Sequence, residues 1–230
     1  MLKKLFQSFR SPLRRAAHKR STPEVLNSNQ HPLRRGEISR YALSVVDRLQ
    51  QAGYQAYLVG GCVRDLLLNL EPKDFDVATS ATPEQVRAEF RNARVIGRRF
   101  KLVHVHFGRE IIEVATFRAN HPQGDEDEDS NLSSRNESGR ILRDNVYGSL
   151  EDDAQRRDFT INALYLDASC ERILDYANGV HDIRNRLIRL IGDPEKRYQE
   201  DPVRMLRAVR FAAKLDFDIE KHSAAPIPRL

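Results

Sequence analysis

The chain has 230 residues, of which 40% are hydrophobic and 31% charged, and this length is enough for one domain with a core or for one domain and part of another. No apolar run approaches the about 18 residues that a membrane-spanning helix needs, so the composition excludes a membrane span. Cys62 and Cys170 are isolated and lack metal-ligand spacing, which indicates a reducing cytoplasm and excludes a zinc site.

The formal net charge of +5 is distributed unevenly. Residues 1–40 contain 10 Lys and Arg against 2 Asp and Glu, whereas the remaining 190 residues contain 28 against 31. Residues 1–37 are predicted to form a disordered basic tail, because their polar, proline-containing composition does not support a core. Three roles are open for it: an electrostatic arm for RNA phosphates, an organellar presequence, or a solvated segment without a part in binding.

Helical spacing of apolar residues from Ile38 to Leu49, ended by Gly53, predicts a first amphipathic helix. The short apolar run Ala56–Val59 then predicts a buried strand. Gly60 and Gly61 follow as a turn whose backbone amides can approach an anion, and a helix is predicted from Val63 to Leu68.

Two acids follow this helix at i and i+2, Asp74 and Asp76. If both lie on a strand, their carboxylates point to one face and can share a divalent cation. Hard oxygen ligands suit Mg²⁺, which also takes waters and substrate phosphates, so a nucleotide substrate is expected. The alternative is an ordinary polar edge strand. Arg64, in the first turn of the preceding helix, is placed near phosphate, or else forms a surface ion pair with Asp65.

Further elements follow from local patterns. Thr82 to Gln85 form a capping box that opens a helix to Phe90. A β-hairpin is predicted next, with His104 and His106 on its polar face. Its first strand shows alternation over residues 102–107, its turn is Gly108-Arg109, and its second strand is the apolar run 111–117. Residues 119–140 are acidic and lack periodicity, which predicts a flexible loop rather than a metal cluster. A second capping box at Ser149 opens a helix toward Arg157 and Asp158.

The segment LVGGCVRDLLL…DFD, from Leu58 to Asp76, resembles the signature of the class II nucleotidyltransferases, the family of CCA-adding enzymes and bacterial poly(A) polymerases. Three further segments match in the same order: RRDFTINALY (Arg156–Tyr165), DYANGVHDIRNRLIRLIG (Asp175–Gly192) and EDPVRMLRAVRFAAKL (Glu200–Leu215). Four ordered blocks make the resemblance specific. It covers Ile38 to the C-terminus and leaves out the first 37 residues.

The resemblance implies an α+β fold, with a small mixed sheet flanked by helices as in the palm of polymerase beta, followed by the start of an all-helical domain. Residues 38–168 are expected to form the nucleotidyltransferase domain, and residues 169–230 the start of a helical domain that binds nucleotide and RNA. Members of the family continue well past the last residue of this chain, so the helical domain is expected to be truncated.

The resemblance also implies the site residues. Asp74 and Asp76 hold magnesium and are catalytic, and Asp158 is expected to be the third catalytic acid, with Glu113 as the competing candidate. The residues expected to contact the nucleotide are Gly60, Gly61, Arg64, Asp65, Arg157, Asp201 and Arg204. Within that set, Asp201 and Arg204 are expected to read the base, because an acid can accept from the adenine amino group and an arginine can donate to a ring nitrogen.

The run GRRFKLVHV, residues 97–105, is similar to a block that marks the bacterial poly(A) polymerases. It favours an enzyme that adds AMP from ATP to RNA 3′ ends by two-metal in-line transfer. The runner-up is a tRNA CCA-adding enzyme, and an alternative of another class is a non-catalytic RNA-binding remnant, against which intact Asp74 and Asp76 argue. The protein is expected to be a cytoplasmic monomer without a membrane partner.

Overall fold

The computed structural model describes residues 22–97, 101–119 and 146–230, together with the backbone of two strands between 133 and 144. Its strands are β1 (Glu24–Leu26), β2 (Ala56–Val59), β3 (Asp76–Thr79), β4 (Ala93–Ile96), β5 (Leu102–Phe107), β6 (Glu110–Thr116), β7 (Ser133–Arg135), β8 (Ile141–Asp144), β9 (Leu164–Asp167), β10 (Arg172–Asp175), β11 (Leu187–Ile188) and β12 (Asp218–Ile219). Its helices are α1 (Arg40–Gln51), α2 (Gly61–Leu67), α3 (Pro83–Glu89), α4 (Leu150–Arg156), α5 (Gly179–Arg184), α6 (Pro194–Glu200), α7 (Val203–Leu215) and α8 (Lys221–Ala224).

Eight of these strands form one sheet in the order β1-β10-β9-β2-β3-β6-β5-β4. Every neighbouring pair is antiparallel except β3 and β6, which are parallel because the chain crosses over through α3 and the β4–β5 hairpin before it returns. The sheet is therefore mixed and flanked by helices, which confirms the predicted α+β fold.

The two faces of the sheet are covered differently. On one face, α1 packs against β2, β3 and β6, and α3 packs against β4, β5 and β6. The apolar residues that the sequence assigned to α1, including Val45 and Leu49, are fully buried there. On the other face, Leu150 and Ala154 of α4 pack on Val59, Ala78 and Tyr165. That small cluster brings the end of α4 next to the start of β3.

Local capping explains where the helices begin. The Ser39 hydroxyl accepts from the backbone N–H of Tyr41 at 3.2 Å and so caps α1. Thr82 caps α3 and Ser149 caps α4, each in a complete capping box, as predicted. The β5–β6 hairpin is also confirmed, with Val103 and Val105 on the buried face.

The prediction of a disordered tail over residues 1–37 is wrong for residues 22–37, which the structure describes. Strand β1 pairs with β10 at the edge of the sheet, and Leu26 and Leu33 are buried in the core. The His31 Nε2 lies 2.8 Å from the carbonyl oxygen of Glu171. These partners are far away in the chain, so composition alone does not show them. Residues 1–21 lie outside the described residues.

The predicted domain boundary after residue 168 also needs correction, because it cuts the β9–β10 hairpin, and both strands belong to the main sheet. The helical part follows β10, although β11 and β12 pair as a small parallel ladder within it. Most of the predicted loop 119–140 lies outside the described residues, but β7, inside it, pairs with β8. None of the helices in the described part of the chain is long and apolar enough to cross a membrane.

Candidate active site

A glycine turn joins β2 to α2 at the middle of the sheet. Gly60 has φ +81° and ψ −130°, a backbone conformation that side chains other than hydrogen disfavour. Its N–H donates to the carbonyl oxygen of Leu164 at 3.3 Å, which ties the turn to the next strand. A Cβ at Gly60 would lie 3.8 Å from Nη1 of Arg157. The turn therefore lies directly beside the arginine of the RRD segment.

Three carboxylates are grouped next to this turn. Asp76 is the first residue of β3 and pairs side by side with Glu113 of the parallel strand β6. Asp74 precedes the strand and is exposed, so only one of the two aspartates lies on a strand. The pKa of Asp76 is raised to about 6, chiefly by burial and further by the charges of Glu113 and Asp74, while the charge of Arg157 opposes the increase.

The structure places Glu113, not Asp158, beside Asp76. The Asp158 carboxylate accepts from Nε of Arg207 at 2.6 Å and from the backbone N–H of Phe159 at 2.7 Å. It thus joins the RRD segment to α7. The choice of Asp158 as third acid is therefore not supported by its position. Sequence order could not show the β3–β6 pairing, which depends on a long crossover.

Arg157 is held by two residues that sequence analysis did not single out. Its Nε and Nη2 donate to Oδ2 of Asp153 at 3.1 and 3.0 Å, and its Nε also donates to the Tyr165 hydroxyl at 2.9 Å. The Tyr165 hydroxyl donates to the same Asp153 oxygen at 2.8 Å. Among the described residues, no partner is seen for Nη1 of Arg157, the nitrogen nearest Gly60. The sequence feature that predicts this ion pair is the i, i+4 spacing of Asp153 and Arg157 on a helix.

The charges in this trio support one another. Burial opposes ionisation of Asp153, yet Arg157 and Arg156 hold the pKa of that carboxyl below its ordinary value. Burial likewise disfavours the charged form of Arg157, but Tyr165 and Asp153 outweigh it and raise the arginine pKa. Burial is the first cause that raises the pKa of the Tyr165 hydroxyl. The trio therefore keeps Arg157 cationic and Tyr165 protonated.

Arg64 is buried, with 3% of its surface exposed, and its guanidinium is already occupied. Its Nη2 and Nε donate to Asp65 at 2.6 and 2.8 Å, and its Nη1 donates to Asn162 at 2.6 Å. The ring of Phe211 lies 5.2 Å from the guanidinium carbon. The ion pair with Asp65 thus exists, but it is internal and links α2 to α7 rather than lying on the surface.

Helix α6, which leads into the last sequence block, contacts the RRD segment through Arg197. Its Nη2 donates to the carbonyl oxygens of Arg156 and Arg157, each at 2.6 Å. Arg204 is mostly buried and donates to the carbonyl of Arg197 at 2.7 Å and to Glu200 at 3.2 Å. Asp201 accepts from the backbone N–H of Val203 at 3.3 Å. The structure does not bring Asp201 and Arg204 into contact with the three carboxylates.

The donor set suits magnesium better than a metal with an all-protein cage. Within the described ranges, no group of three or more His, Cys, Asp or Glu side chains is placed so that it could hold a metal ion. Asp74, Asp76 and Glu113 nevertheless lie close enough to raise the pKa of Asp76. A hard cation between them would relieve that repulsion, and Mg²⁺ takes few carboxylates and completes its shell with water and phosphate oxygens.

Comparison with known proteins identifies the family. A family model described as the poly A polymerase head domain matches residues 56–189, which include the glycine turn, all three carboxylates and the RRD segment. The chain belongs to this family. Poly(A) polymerase I of Salmonella typhimurium is 59% identical over 206 residues, which cover 90% of this chain and 44% of that protein.

The class II nucleotidyltransferase family also includes enzymes with other names. A CCA-adding enzyme of Lactobacillus helveticus is 41% identical over 81% of this chain and 43% of its own length. The crystal structure of the Bacillus stearothermophilus CCA-adding enzyme in complex with CTP superposes with a TM-score of 0.67 at 39% identity, over 81% of this chain and 42% of that one. The chain therefore spans a little under half the length of the relatives it matches.

Proposed function

We propose that the protein transfers AMP from ATP to the 3′ ends of RNA and releases pyrophosphate. The observation that carries this proposal is the grouping of Asp74, Asp76 and Glu113 at the glycine turn, next to Arg157, whose Nη1 has no partner among the described residues. Phosphoryl chemistry needs little covalent participation from a protein beyond positioning and charge. The sequence similarity supports adenylyl transfer in particular, because the poly(A) polymerase is 59% identical and the CCA-adding enzyme 41%.

Asp74 and Asp76 would hold the magnesium, and we propose Glu113 in place of Asp158 as the third carboxylate. When bound, the metal supplies activation of the RNA 3′-hydroxyl and neutralises charge on the triphosphate. Arg157 presents Nη1 toward the nucleotide phosphates, where a fixed cation stabilises the charge that accumulates as pyrophosphate leaves. Asp153 and Tyr165 hold the other edge of its guanidinium, so Arg157 does not need to reorganise during the reaction.

The remaining motif residues have supporting parts in this proposal. Gly60 and Gly61 allow the backbone to approach the phosphates, since any side chain at Gly60 is strained by its positive φ. Arg64 and Asp65 form an ion pair behind the turn, and Arg64 contacts Phe211 of α7, so they are proposed to support the nucleotide site from within. Asp201 and Arg204 are proposed to select the base from the α6–α7 block. We also propose that the protein is a cytoplasmic monomer; the free thiols of Cys62 and Cys170 agree with a reducing cytoplasm.

The decisive experiment incubates the chain with a short RNA that lacks CCA context and with each nucleoside triphosphate separately. Adenylyl transfer predicts a ladder of many added A residues with ATP alone, and no product without Mg²⁺. A product of fixed two- or three-nucleotide length that depends on CTP would favour the CCA-adding alternative. Absence of incorporation from all four triphosphates would favour the non-catalytic RNA-binding alternative. Asp74→Ala and Asp76→Ala serve as the inactive controls.

A further inference from the structure

The face of the sheet that carries the carboxylates continues as an open polar surface beyond them. Strand pairing places Arg94 opposite His104, His104 opposite Glu113, and Glu113 opposite Asp76. Directly paired residues point to the same face, so these four side chains form one row across β4, β5, β6 and β3. We name this row and its flanking residues His106 and Ile111 the sheet-face row.

The sheet-face row is accessible, whereas the opposite face of the same strands is core. The His104 side chain is 26% exposed and that of Glu113 is 41% exposed. Ile111, opposite His106, is 44% exposed. Val103, Val105 and Ile112, which alternate with these residues, are buried under α1 and α3. Helix α4 covers the far end of the face around Ala78 and leaves the row uncovered within the described part of the chain.

We propose that the sheet-face row is the path along which single-stranded RNA brings its 3′ end to Asp76, an inference that rests on the proposed transfer function. Three inter-strand gaps of about 4.8 Å make the row about 14 Å long, enough for a short run of nucleotides. Its inner end is the carboxylate group, which is where the terminal 3′-hydroxyl has to arrive. Its outer end is the cation Arg94.

The chemistry of the row fits single-stranded RNA. Sheets that bind single strands present flat rings on which bases stack and basic residues at the margin for the phosphates. The rings of His104 and His106, two residues apart on β5, lie 6.2 Å apart at an interplanar angle of 67°, and the His104 Nε2 lies 3.4 Å from Oε2 of Glu113. No ion pair is seen for Arg94 in the described part of the chain, so this cation is available to phosphate.

The row also joins an open groove on its Asp74 side. Ile111 and Arg109, at the turn of the β5–β6 hairpin, line a groove of about 830 Å³ together with Asp74 and Lys73. Glu71 and Glu110 line it as well, so the groove itself is of mixed charge. Four acids line the groove against the three bases Arg40, Lys73 and Arg109, whereas Arg94 at the other end of the row has no ion pair in the described part of the chain. This difference points to entry of the RNA from the β4 edge rather than through the groove.

A matched pair of charge reversals tests this path. Arg94→Glu and Arg87→Glu make the same change in net charge, but Arg87 lies on α3, which packs on the opposite face of the sheet. With a labelled oligoadenylate, Arg94→Glu is expected to weaken binding about tenfold and to lower the log–log salt slope by roughly 0.7, the value of one single-strand phosphate contact. Arg87→Glu is expected to behave as wild type. Equal effects of the two reversals would overturn the proposal.

Photocrosslinking and kinetics provide the second measurement. An oligoadenylate with 4-thiouridine at its 3′ end is expected to crosslink to peptides from residues 101–113, and crosslinks confined to α7 would overturn the path. His104→Ala is expected to raise the KM for RNA about tenfold, the loss of one stacked base, with the KM for ATP unchanged. If nucleotide transfer occurs but neither variant alters RNA binding, the path is wrong and the transfer function stands. If RNA binds as described but no triphosphate is incorporated, the transfer function is wrong instead.

Discussion

Replacement of Asp76 by asparagine should stabilise the metal-free protein while abolishing its activity. On folding, burial and the charges of Glu113 and Asp74 raise the pKa of this carboxyl from 3.8 to about 6. Ionisation of such a group costs the folded state about 3 kcal/mol relative to the unfolded chain, since tenfold in an ionisation constant is about 1.4 kcal/mol. Asp76→Asn removes this cost and keeps the shape of the side chain.

The pH dependence gives the sign of the effect. Below about pH 4 the carboxyl is protonated in both the folded and the unfolded state, so the variant gains nothing there. As pH rises through 6 the wild type loses the stability that protonation gave it, because the unfolded state releases the proton first. The stabilisation by Asp76→Asn should therefore grow between about pH 4 and pH 7 and remain constant above that range.

Urea denaturation in EDTA at several pH values measures this difference. Asp218→Asn, at an exposed carboxylate of β12 outside the site, is the control for the removal of one carboxylate. Mg²⁺ with ATP should then stabilise the wild type and not Asp76→Asn, because a ligand stabilises only the protein that binds it. A variant that is less stable than wild type at pH 7.5, or a gain that is independent of pH, would refute the crowding of carboxylates inferred for this site.

Three further predictions concern other parts of the molecule. Tyr165→Phe should lower kcat with little change in the Tm, because it removes the hydroxyl that orients Arg157 but leaves the ring packed. An unchanged kcat would show that Asp153 alone holds Arg157. Gly179→Ala should lower the free energy of unfolding, measured by urea denaturation, by about 1–3 kcal/mol, because the new Cβ would lie 2.2 Å from the carbonyl oxygen of Thr160. Gly36→Ala is the control, since a Cβ at Gly36 meets nothing within 4 Å. Equal stabilities of the two variants would contradict this packing. Residues 1–21 contain seven Lys and Arg and no acid, so their deletion should reduce the salt dependence of RNA binding. The log–log slope should fall by roughly 0.7 for each RNA phosphate that these residues neutralise, and ATP binding should stay unchanged. An unaltered slope would assign these residues no part in RNA binding.

The sequence by itself determined the features that depend on interactions between residues close together in the chain. Thr82 and Ser149 begin their helices because their hydroxyls reach N–H groups three residues away, and the β5–β6 hairpin follows from alternation around Gly108. The glycine turn and the aspartate pair could also be located from the sequence, because each belongs to a short motif with a fixed spacing.

Only the tertiary structure decided which distant residues complete the site. Glu113 lies beside Asp76 because β3 and β6 pair in parallel after a long crossover, and no local pattern sets the register of such a pair. Asp158 matched the motif but is neutralised by Arg207 from α7, and Arg64 turns inward because Asp65, Asn162 and Phe211 enclose it. Buried charges must find partners, and those partners come from whichever elements the fold brings together.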